Sequence, residues 1–241
     1  RTLVWVDRRG RETPIAAQPR QYANVRLSPD GTRAALEIED QDQDIWVWHF
    51  ERQTLTRLTV DPGLDETPVW TADGQKVIFT SQEGGLLGSL FWQAADGTGR
   101  AEALTLTEGG LTQRATAVLP DGSGVVFSQG TRLMTLTLDD DRRVQPLVGR
   151  PGGGGGGADG AVSPDGRWLA YVGIDSGSPQ IFVSPTLEAR GRANPSHALW
   201  RGAAALGVER ARTVLHGPRR YAHESLGRPG HHIHRRAADQ G

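Results

Sequence analysis

Cysteine is absent from the 241 residues, and lysine occurs once, at Lys76. The absence of cysteine excludes a disulfide framework, a thiolate nucleophile and a cysteine-ligated zinc site. No apolar run approaches the roughly 18 residues that a membrane-spanning helix needs, and no signal-like stretch follows Arg1. We therefore expect no membrane contact within this chain. Because it opens on Arg, we expect a fragment of a longer protein or a processed product.

An excess of charge of one sign is also absent, because 27 basic and 28 acidic residues leave a formal net charge of −1. A basic nucleic-acid-binding surface and an acidic disordered chain are therefore excluded as descriptions of the whole chain. We expect no nucleic acid among the partners. Aromatic residues make up only 6% of the chain, whereas glycine occurs 32 times. This composition favours a turn-rich β protein over a helical one.

A four-residue motif containing Asp-Gly occurs four times at nearly one period. Its glycines are separated by 43, 48 and 44 residues, and its copies are Ser28–Gly31, Thr71–Gly74, Leu119–Gly122 and Ser163–Gly166. Such a sequence is typical of a turn in which glycine takes the left-handed conformation and closes a short hairpin. A repeat at 20–50 residues indicates an array of similar structural units.

Short apolar segments accompany every turn at steady offsets. One strand is predicted before each turn, as at Val25–Leu27, and a second after it, as at Val77–Phe79. A third follows, as at Asp44–Trp48, and a fourth closes the unit, as at Ala103–Thr107. Each unit is then a four-stranded antiparallel meander of about 45 residues, which is the size of a propeller blade.

The first residues continue the same order, with Leu3–Val6 predicted as a third strand and Thr13–Ala16 as a fourth. We therefore expect an all-β fold, namely an incomplete β-propeller of four-stranded antiparallel blades. It should contain about four blades, the first opening near Val25 and the last incomplete, preceded by an N-terminal half-blade. Six tryptophans recur at strand positions and are predicted to lie in the core between blades: Trp5, Trp46, Trp48, Trp70, Trp92 and Trp168.

Two segments, SPDGTRAALEIEDQDQDIWVWHFERQTLTRLT and PVWTADGQKVIFTSQ, resemble the TolB-like, WD-repeat-like β-propeller repeat. The opening TLVWVDRRGRE and the run RVQPLVG are similar to TolB-like propellers attached to bacterial serine/threonine protein kinases. The resemblance covers residues 1–183 and implies a periplasmic or otherwise extracytoplasmic location, with the cytoplasm as the alternative. The matching residues belong to turns and core, so the resemblance is specific for the fold and weak for function. Leu119 departs from the pattern, because serine is usual there.

The repeat ends after Val183, where the composition also changes. Residues 184–241 contain 10 Arg, 4 acidic residues and six of the seven His. They have neither strand alternation nor an Asp-Gly turn, so we expect an irregular basic tail, disordered or weakly helical around Ala203–Arg212. A reading-frame shift is a further explanation, which we favour over a natural tail. Read one nucleotide later, codons that permit Leu215–His223 also permit propeller-like text.

Three motifs suggest chemistry, and each has a simpler interpretation. Asp40, Asp42, Asp44 and Glu51 have the spacing of a calcium loop, but Ile45 stands where such a loop needs glycine, so we predict a solvated hairpin tip. The run Gly152–Gly157 contains GxGxxG without the following Lys-Ser/Thr of a phosphate loop, and we predict a linker between blades. The third motif is a histidine cluster in a stretch without a predicted fold, where we expect no metal site: His223, His231, His232 and His234.

No GxSxG nucleophile elbow is present, and His49 is the only histidine before residue 184. We therefore predict no catalytic residue, no cofactor-binding residue, no metal ligand and no cofactor. The first functional hypothesis is a non-enzymatic module that binds a protein or a small ligand on one propeller face. Its specificity would depend on loops that differ between units: Glu39–Gln43, Gln82–Ser89, Gly97–Arg100 and Asp139–Arg143.

The resemblance implies that such a module belongs to a bacterial sensor kinase or to a periplasmic scaffold. The alternative hypothesis is the gating propeller of a prolyl-oligopeptidase-like serine peptidase whose hydrolase domain lies outside this chain. The neighbouring coding sequence discriminates the two, since one predicts a kinase upstream and the other a hydrolase downstream.

Overall fold

The computed structural model describes residues 1–186, apart from 8, 84, 86, 107–109, 148–158 and 176–177. Every regular element in this part is a β-strand. A helix with the length and apolar character to cross a membrane does not occur among the described residues. The strands are β1 (Val4–Val6), β2 (Glu12–Pro14), β3 (Tyr22–Leu27), β4 (Arg33–Glu39), β5 (Gln43–His49), β6 (Thr54–Arg57), β7 (Asp65–Trp70), β8 (Lys76–Ser81), β9 (Ser89–Ala94), β10 (Glu102–Ala103), β11 (Gln113–Val118), β12 (Gly124–Gln129), β13 (Arg132–Thr137), β14 (Val144–Pro146), β15 (Gly160–Val162), β16 (Trp168–Asp175) and β17 (Ser178–Pro185).

Strands that follow one another in sequence pair antiparallel, and each sheet is a meander. The half-blade is β1–β2, blade 1 is β3–β6, blade 2 is β7–β10, blade 3 is β11–β14, and the fourth sheet is β15–β17. This order confirms the predicted all-β fold of four-stranded blades with an N-terminal half-blade. The last sheet has three strands among the described residues, and the described sheets do not close into a ring, as expected for an incomplete propeller.

The hydrophobic core is a series of layers between consecutive sheets. In β4, Leu36 and Ile38 pack toward the half-blade, whereas Ala35 packs with Phe79 of blade 2. The same arrangement recurs between blades 2 and 3 and between blade 3 and the fourth sheet. Because a strand points successive side chains to opposite faces, a sheet packed on both faces needs apolar residues at successive positions. This requirement explains the nearly continuous apolar runs after each Asp-Gly turn.

The four Asp-Gly turns have the predicted geometry. Their glycines have φ values of 67°, 68°, 78° and 69°, in the left-handed region that glycine enters without steric cost. In the first turn, the Asp30 carboxylate accepts a bond of 3.0 Å from the Thr32 amide, and the Ser28 hydroxyl accepts one of 2.9 Å from the Arg33 amide. The third turn lacks the hydroxyl bond of the first, because its first residue is Leu119 instead of serine or threonine.

The fourth strands are shorter than predicted, and β10 ends at Ala103 instead of Thr107. The regular ladder ends there because the amides of Leu104 and Thr105 both donate to one carbonyl, that of Leu90. Thr105 also accepts a 3.0 Å bond from the Leu90 amide through its hydroxyl. Blade 1 ends in the same way at Leu58 and Thr59.

The tail predicted for residues 184–241 lies outside the described residues from 187 onward, as do Gly152–Gly157 and the histidine cluster. The last strand, β17, continues to Pro185, past the expected boundary at 183. Thr186 is buried, and its hydroxyl donates to the Gly166 carbonyl over 2.7 Å. The fourth sheet therefore includes two residues of the segment assigned to the tail, Ser184 and Pro185, and Thr186 contacts the turn beside it.

Candidate functional site

The antiparallel order of the strands places successive connections at opposite ends of each blade. One end, the turn face, holds the four Asp-Gly turns and the connections between third and fourth strands. The other end, the connection face, holds the hairpin turns between second and third strands and the segments that join one blade to the next. Glu39–Gln43 and Gln82–Ser89 lie on the connection face, whereas Gly97–Arg100 and Asp139–Arg143 lie on the turn face. The four loops expected to carry specificity therefore do not share one face.

Equivalent polar side chains join blade 1 to blade 2 and blade 2 to blade 3 on the side of the inner strands. Glu37, in the second strand of blade 1, accepts a 2.9 Å bond from the backbone amide of Thr67 in blade 2. Thr80, at the same position of blade 2, accepts a 3.3 Å bond from the Ala115 amide of blade 3 and donates to the Gln113 carbonyl over 2.9 Å. Both links meet their inner strand near a β-bulge, where the register shift leaves backbone groups without a partner in the ladder.

Thr67 has a φ of 54°, a conformation that is unfavourable for a β-branched residue. It is held by the bond to Glu37 and by a contact of 2.8 Å between its hydroxyl and that of Thr80. Burial raises the pKa of Glu37, although hydrogen bonds from Asn24 and from the Thr67 amide oppose the rise. These polar groups therefore join blade 1 to blade 2, and the Glu37 carboxylate is satisfied by hydrogen bonds.

A second buried carboxyl lies where blade 2 begins. Burial raises the pKa of Asp65 to about 6, against hydrogen bonds from Ser81 and Thr59, and the carboxylate of Asp44 adds to the rise. In blade 3 the same position carries Gln113, which is also buried and is hydrogen-bonded to Thr105. Blade 3 thus has a side-chain amide, Gln113, where blade 2 has the carboxyl of Asp65. This exchange indicates that the position stabilises the fold and does not require an acid.

An ion pair joins neighbouring inner strands one residue further along. The Arg114 guanidinium lies 3.0 Å from the Glu66 carboxylate, measured between Nε and Oε1. The Arg114 side chain is half exposed, whereas that of Glu66 is mostly buried.

Of the residues with calcium-loop spacing, Asp40 and Asp42 lie on the exposed hairpin between β4 and β5, as predicted, whereas Asp44 is a buried residue of β5 and Glu51 follows β5 at the other end of the blade. Asp40 pairs with Arg20 over 3.1 Å, and Asp44 is buried and pairs with Arg57 over 2.6 Å. Asp42 lies 3.5 Å from the same guanidinium. The described residues contain no group of three or more His, Asp or Glu side chains that could hold a metal ion.

The tryptophans divide into packed and exposed members. Trp48 and Trp70 are buried, and Trp5, Trp46 and Trp92 are partly buried against the core clusters. Trp168 is wrongly assigned to the core, because 43% of it is exposed in the second strand of the fourth sheet. It is the first residue of β16, directly after the turn residue Arg167, and the next residue, Leu169, is the one that packs in the core.

Cations cover the faces of three partly buried or buried tryptophans. Arg20 lies over Trp46, Arg33 over Trp70, and both Lys76 and Arg142 over Trp92, at 3.4–4.7 Å from the ring centroids. Such contacts stabilise the blades by cation–π attraction. These rings are therefore unsuitable as platforms for stacking a sugar or a base.

His49 ends β5, as predicted from its position at a strand end. Burial lowers its pKa, and the positive charges of Arg33 and Arg52 lower it further. The structure places no serine hydroxyl at a hydrogen-bonding distance from this imidazole among the contacts of the described residues.

The residues that link the blades were not predicted from the sequence. Glu37 and Thr80 each stand nine positions after the first residue of their Asp-Gly motif, and Asp65 and Gln113 each stand six positions before it. That common offset is the signal that could have identified them. Their different side-chain types concealed it, because a carboxylate and a hydroxyl can accept the same backbone hydrogen bond.

Comparison with protein-family models gives no match. Solved structures give several matches, including TolB of Acinetobacter baumannii at 21% identity and a TM-score of 0.66, covering 76% of this chain and 46% of that one. A TolB-type protein of Agrobacterium tumefaciens matches at 15% identity and a TM-score of 0.65, covering 77% of this chain and 65% of the other. An oligogalacturonate lyase solved with manganese matches at 14% identity and a TM-score of 0.57, with coverages of 76% and 56%.

The chain thus spans between about half and two thirds of the length of the two TolB structures. At these identities the similarity concerns the fold, because a propeller scaffold supports unrelated functions. The bladed meanders, the layered core and these similarities together show that the chain folds as an incomplete β-propeller of the TolB type.

Proposed function

We propose that this chain is a non-catalytic β-propeller module that binds a protein or senses a small ligand through one of its faces. The observation that supports the proposal is the division between constant and variable positions. Buried polar groups occupy equivalent positions in successive blades and bond to backbone groups of the next blade. Side chains on the connections differ from blade to blade, and specificity on a repeat scaffold is normally carried by such loops.

The wider context is part of the same proposal. Similarity to kinase-attached TolB-like propellers supports an extracytoplasmic sensor domain of a bacterial serine/threonine kinase, or a periplasmic scaffold. Sequencing the coding DNA on both sides tests this context. A kinase domain and a membrane-spanning segment upstream would support the sensor, whereas an α/β-hydrolase segment downstream would contradict it in favour of a peptidase.

Binding itself is tested by selecting phage-displayed random peptides on the immobilised full chain, with heat-denatured chain as the matched control. A panel of small metabolites is tested in parallel by thermal shift. The proposal predicts either a family of related peptides that bind only the folded chain, or a metabolite that raises its melting temperature in a saturable way. The proposal would be contradicted if neither screen found a ligand, or if the folded chain chemically changed a ligand that was selected.

A further inference from the structure

Exposed large hydrophobic residues cluster on the connection face between blades 1 and 3. Val60 is 69% exposed and Leu106 is 76% exposed, each in a segment that joins two blades. Three more exposed leucines lie on the same face, and we call the whole set the apolar rim: Val60, Leu64, Leu87, Leu106 and Leu111. Scattered exposed hydrophobic residues are normal, but several on adjoining segments mark a site of interaction.

The segments that carry the apolar rim contact one another directly. The Gln82 amide donates to the Leu64 carbonyl over 3.0 Å, which joins the first connection to the hairpin of blade 2. The Gln113 amide donates to the Gly88 carbonyl over 2.9 Å, which joins that hairpin to the second connection. Backbone hydrogen bonds therefore hold the rim residues on one continuous surface.

The packing around the rim leaves little room for adjustment. A Cβ atom at Gly63 would lie 3.2 Å from the Glu83 amide nitrogen, and one at Gly88 would clash with the Thr80 methyl group. Gly130 of blade 3 lies against the side chain of Leu111 in the same way. Closely packed loops present a preformed surface, which reduces the entropic cost of binding.

Carboxylates outnumber cations on the part of this surface that belongs to blades 1 and 2, where Asp42 and Asp44 share the guanidinium of Arg57. The described residues of the connections 58–64 and 82–88 include the carboxylates of Asp61 and Glu83 and no lysine or arginine. Asp61 and Glu83 are exposed between the hydrophobic residues of the rim. Carboxylates interspersed with apolar side chains complement a partner that presents basic and apolar side chains together.

We propose that the apolar rim docks a segment of a partner protein in which leucine-like or aromatic side chains alternate with lysine or arginine. The inference rests on the proposed binding function and assigns it to the connection face. A second copy of this chain is disfavoured as the occupant, because both copies would bring the same excess of carboxylates, Asp61 and Glu83 included, to the contact. The hydrophobic residues provide the buried contact, and the carboxylates select the charge of the partner.

The experiment uses peptides selected from the phage-displayed random library on the full chain, synthesised with a fluorophore and titrated by anisotropy. Selected peptides should be enriched in Lys, Arg, Leu and aromatic residues. The double variant Val60→Ser/Leu106→Ser should bind at least about tenfold more weakly, as expected for contacts at the centre of an interface. The matched control Val144→Ser/Val183→Ser changes two exposed valines outside the rim and should bind within about twofold of the unchanged chain.

A second pair of variants tests the charge without removing hydrophobic surface. Asp61→Asn/Glu83→Gln should weaken binding about three- to tenfold and reduce its dependence on salt, because two attractive charges are lost. Glu51→Gln/Asp140→Asn, which neutralises two exposed carboxylates on the turn face, should leave both the affinity and its salt dependence unchanged.

The outcomes separate this inference from the function on which it rests. Selected peptides that bind the rim variants as tightly as the unchanged chain, or that are acidic, would overturn the rim assignment while the binding function stands. An absence of any selected peptide would overturn the rim assignment, and a metabolite-induced thermal shift would then still support the binding function. Loss of peptide binding in the rim variants alone would support both.

Discussion

Single residues join consecutive blades at two recurring positions. One lies in the second strand and holds Glu37 in blade 1 and Thr80 in blade 2, each accepting a backbone hydrogen bond from the next inner strand. The other opens the inner strand and holds Asp65 in blade 2 and Gln113 in blade 3. Since different side chains meet the same requirement, the scaffold needs hydrogen-bonding capacity at these positions more than a particular residue type.

The first residue-scale prediction concerns the replacement Asp65→Asn. The pKa of Asp65 is raised by burial from 3.8 to about 6, so the folded chain binds this proton more tightly than the unfolded chain does. Its contribution to stability is present at low pH and is lost as the pH rises from about 4 to about 6. At pH 7 the variant should therefore be more stable, by roughly 1–3 kcal/mol, because an amide carries no charge to bury.

Urea unfolding at several pH values between 4 and 7 measures this effect. The variant should show a smaller fall in stability with rising pH than the unchanged chain, and the exposed control Asp140→Asn should show no difference. An unchanged pH dependence in the Asp65 variant would mean that this carboxyl is not buried as described.

The second residue-scale prediction concerns the replacement Thr80→Val, which has nearly the same shape. It removes the 2.9 Å bond to the Gln113 carbonyl and leaves the Ala115 amide without its acceptor. Unfolding should cost about 1–3 kcal/mol less, as expected when buried groups lose their partner. Thr54→Val, on the exposed strand β6, is the control and should change stability by less than about 0.5 kcal/mol. Equal effects of the two changes would contradict the inter-blade link.

At the scale of elements, an Asp-Gly turn joins the first strand of every sheet after the half-blade to the second strand. The hydroxyl of Thr71 accepts a 3.0 Å bond from the Lys76 amide, and Asp73 accepts one of 2.9 Å from the Gln75 amide. In the first turn, burial alone would raise the pKa of Asp30, but hydrogen bonds from Ser28 and Thr32 lower it to about 2. Charged carboxylates therefore hold these turns at neutral pH.

The element-scale prediction compares two replacements at Gly74. Its φ of 68° is left-handed, and a Cβ atom there would meet neighbours only at ordinary contact distances of 3.5 Å. The cost of substitution is therefore conformational, about 1–3 kcal/mol for Gly74→Val and distinctly less for Gly74→Asn, because asparagine tolerates this region. Thermal unfolding of both variants checks the order, and a valine variant as stable as the asparagine variant would contradict the left-handed turn.

The elements show why the sequence predicted the fold better than the site. The turns and strands depend on local patterns, namely Asp-Gly spacing and apolar runs, which are legible along the chain. Strands β6 and β10 were predicted too long, because the pairs Leu58–Thr59 and Leu104–Thr105 each donate two amides to one carbonyl of the neighbouring strand, a contact that no local pattern reveals. Trp168 was assigned to the core for a similar reason, since its exposure depends on what packs against the fourth sheet.

At the scale of the whole molecule, the layered core makes each blade depend on its neighbours. The rim that we propose as a docking surface spans three blades and forms only when they pack together. Its residues lie far apart in the sequence, so no local pattern could have predicted their grouping. The four loops predicted to carry specificity lie on two faces instead of one, because the direction of each strand determines the face on which the following loop lies.

The whole-molecule prediction concerns two truncations. Cutting after Val183 removes Ser184 and Pro185, which pair with Leu169 and Trp168, and Thr186, which bonds to Gly166. This cut should lower the melting temperature by about 3–6 °C, as a loss of one to two kcal/mol does in a chain of this size. A cut after Thr186 should change it by less than about 2 °C, because the repeat pattern ends before that point.

Differential scanning calorimetry of the two truncated chains beside the full chain provides the comparison. A larger loss from the cut after Thr186 would show that residues 187–241 stabilise the propeller, which would contradict the assignment of a tail outside the repeat.

We propose that this incomplete propeller binds a ligand without transforming it. Native mass spectrometry of the full chain, incubated with a peptide selected on it, tests this claim in one spectrum. The account predicts a complex whose mass is the sum of the chain and the intact peptide, at a saturating ratio of one to one. A peptide recovered shortened or chemically modified by the folded chain would contradict the claim.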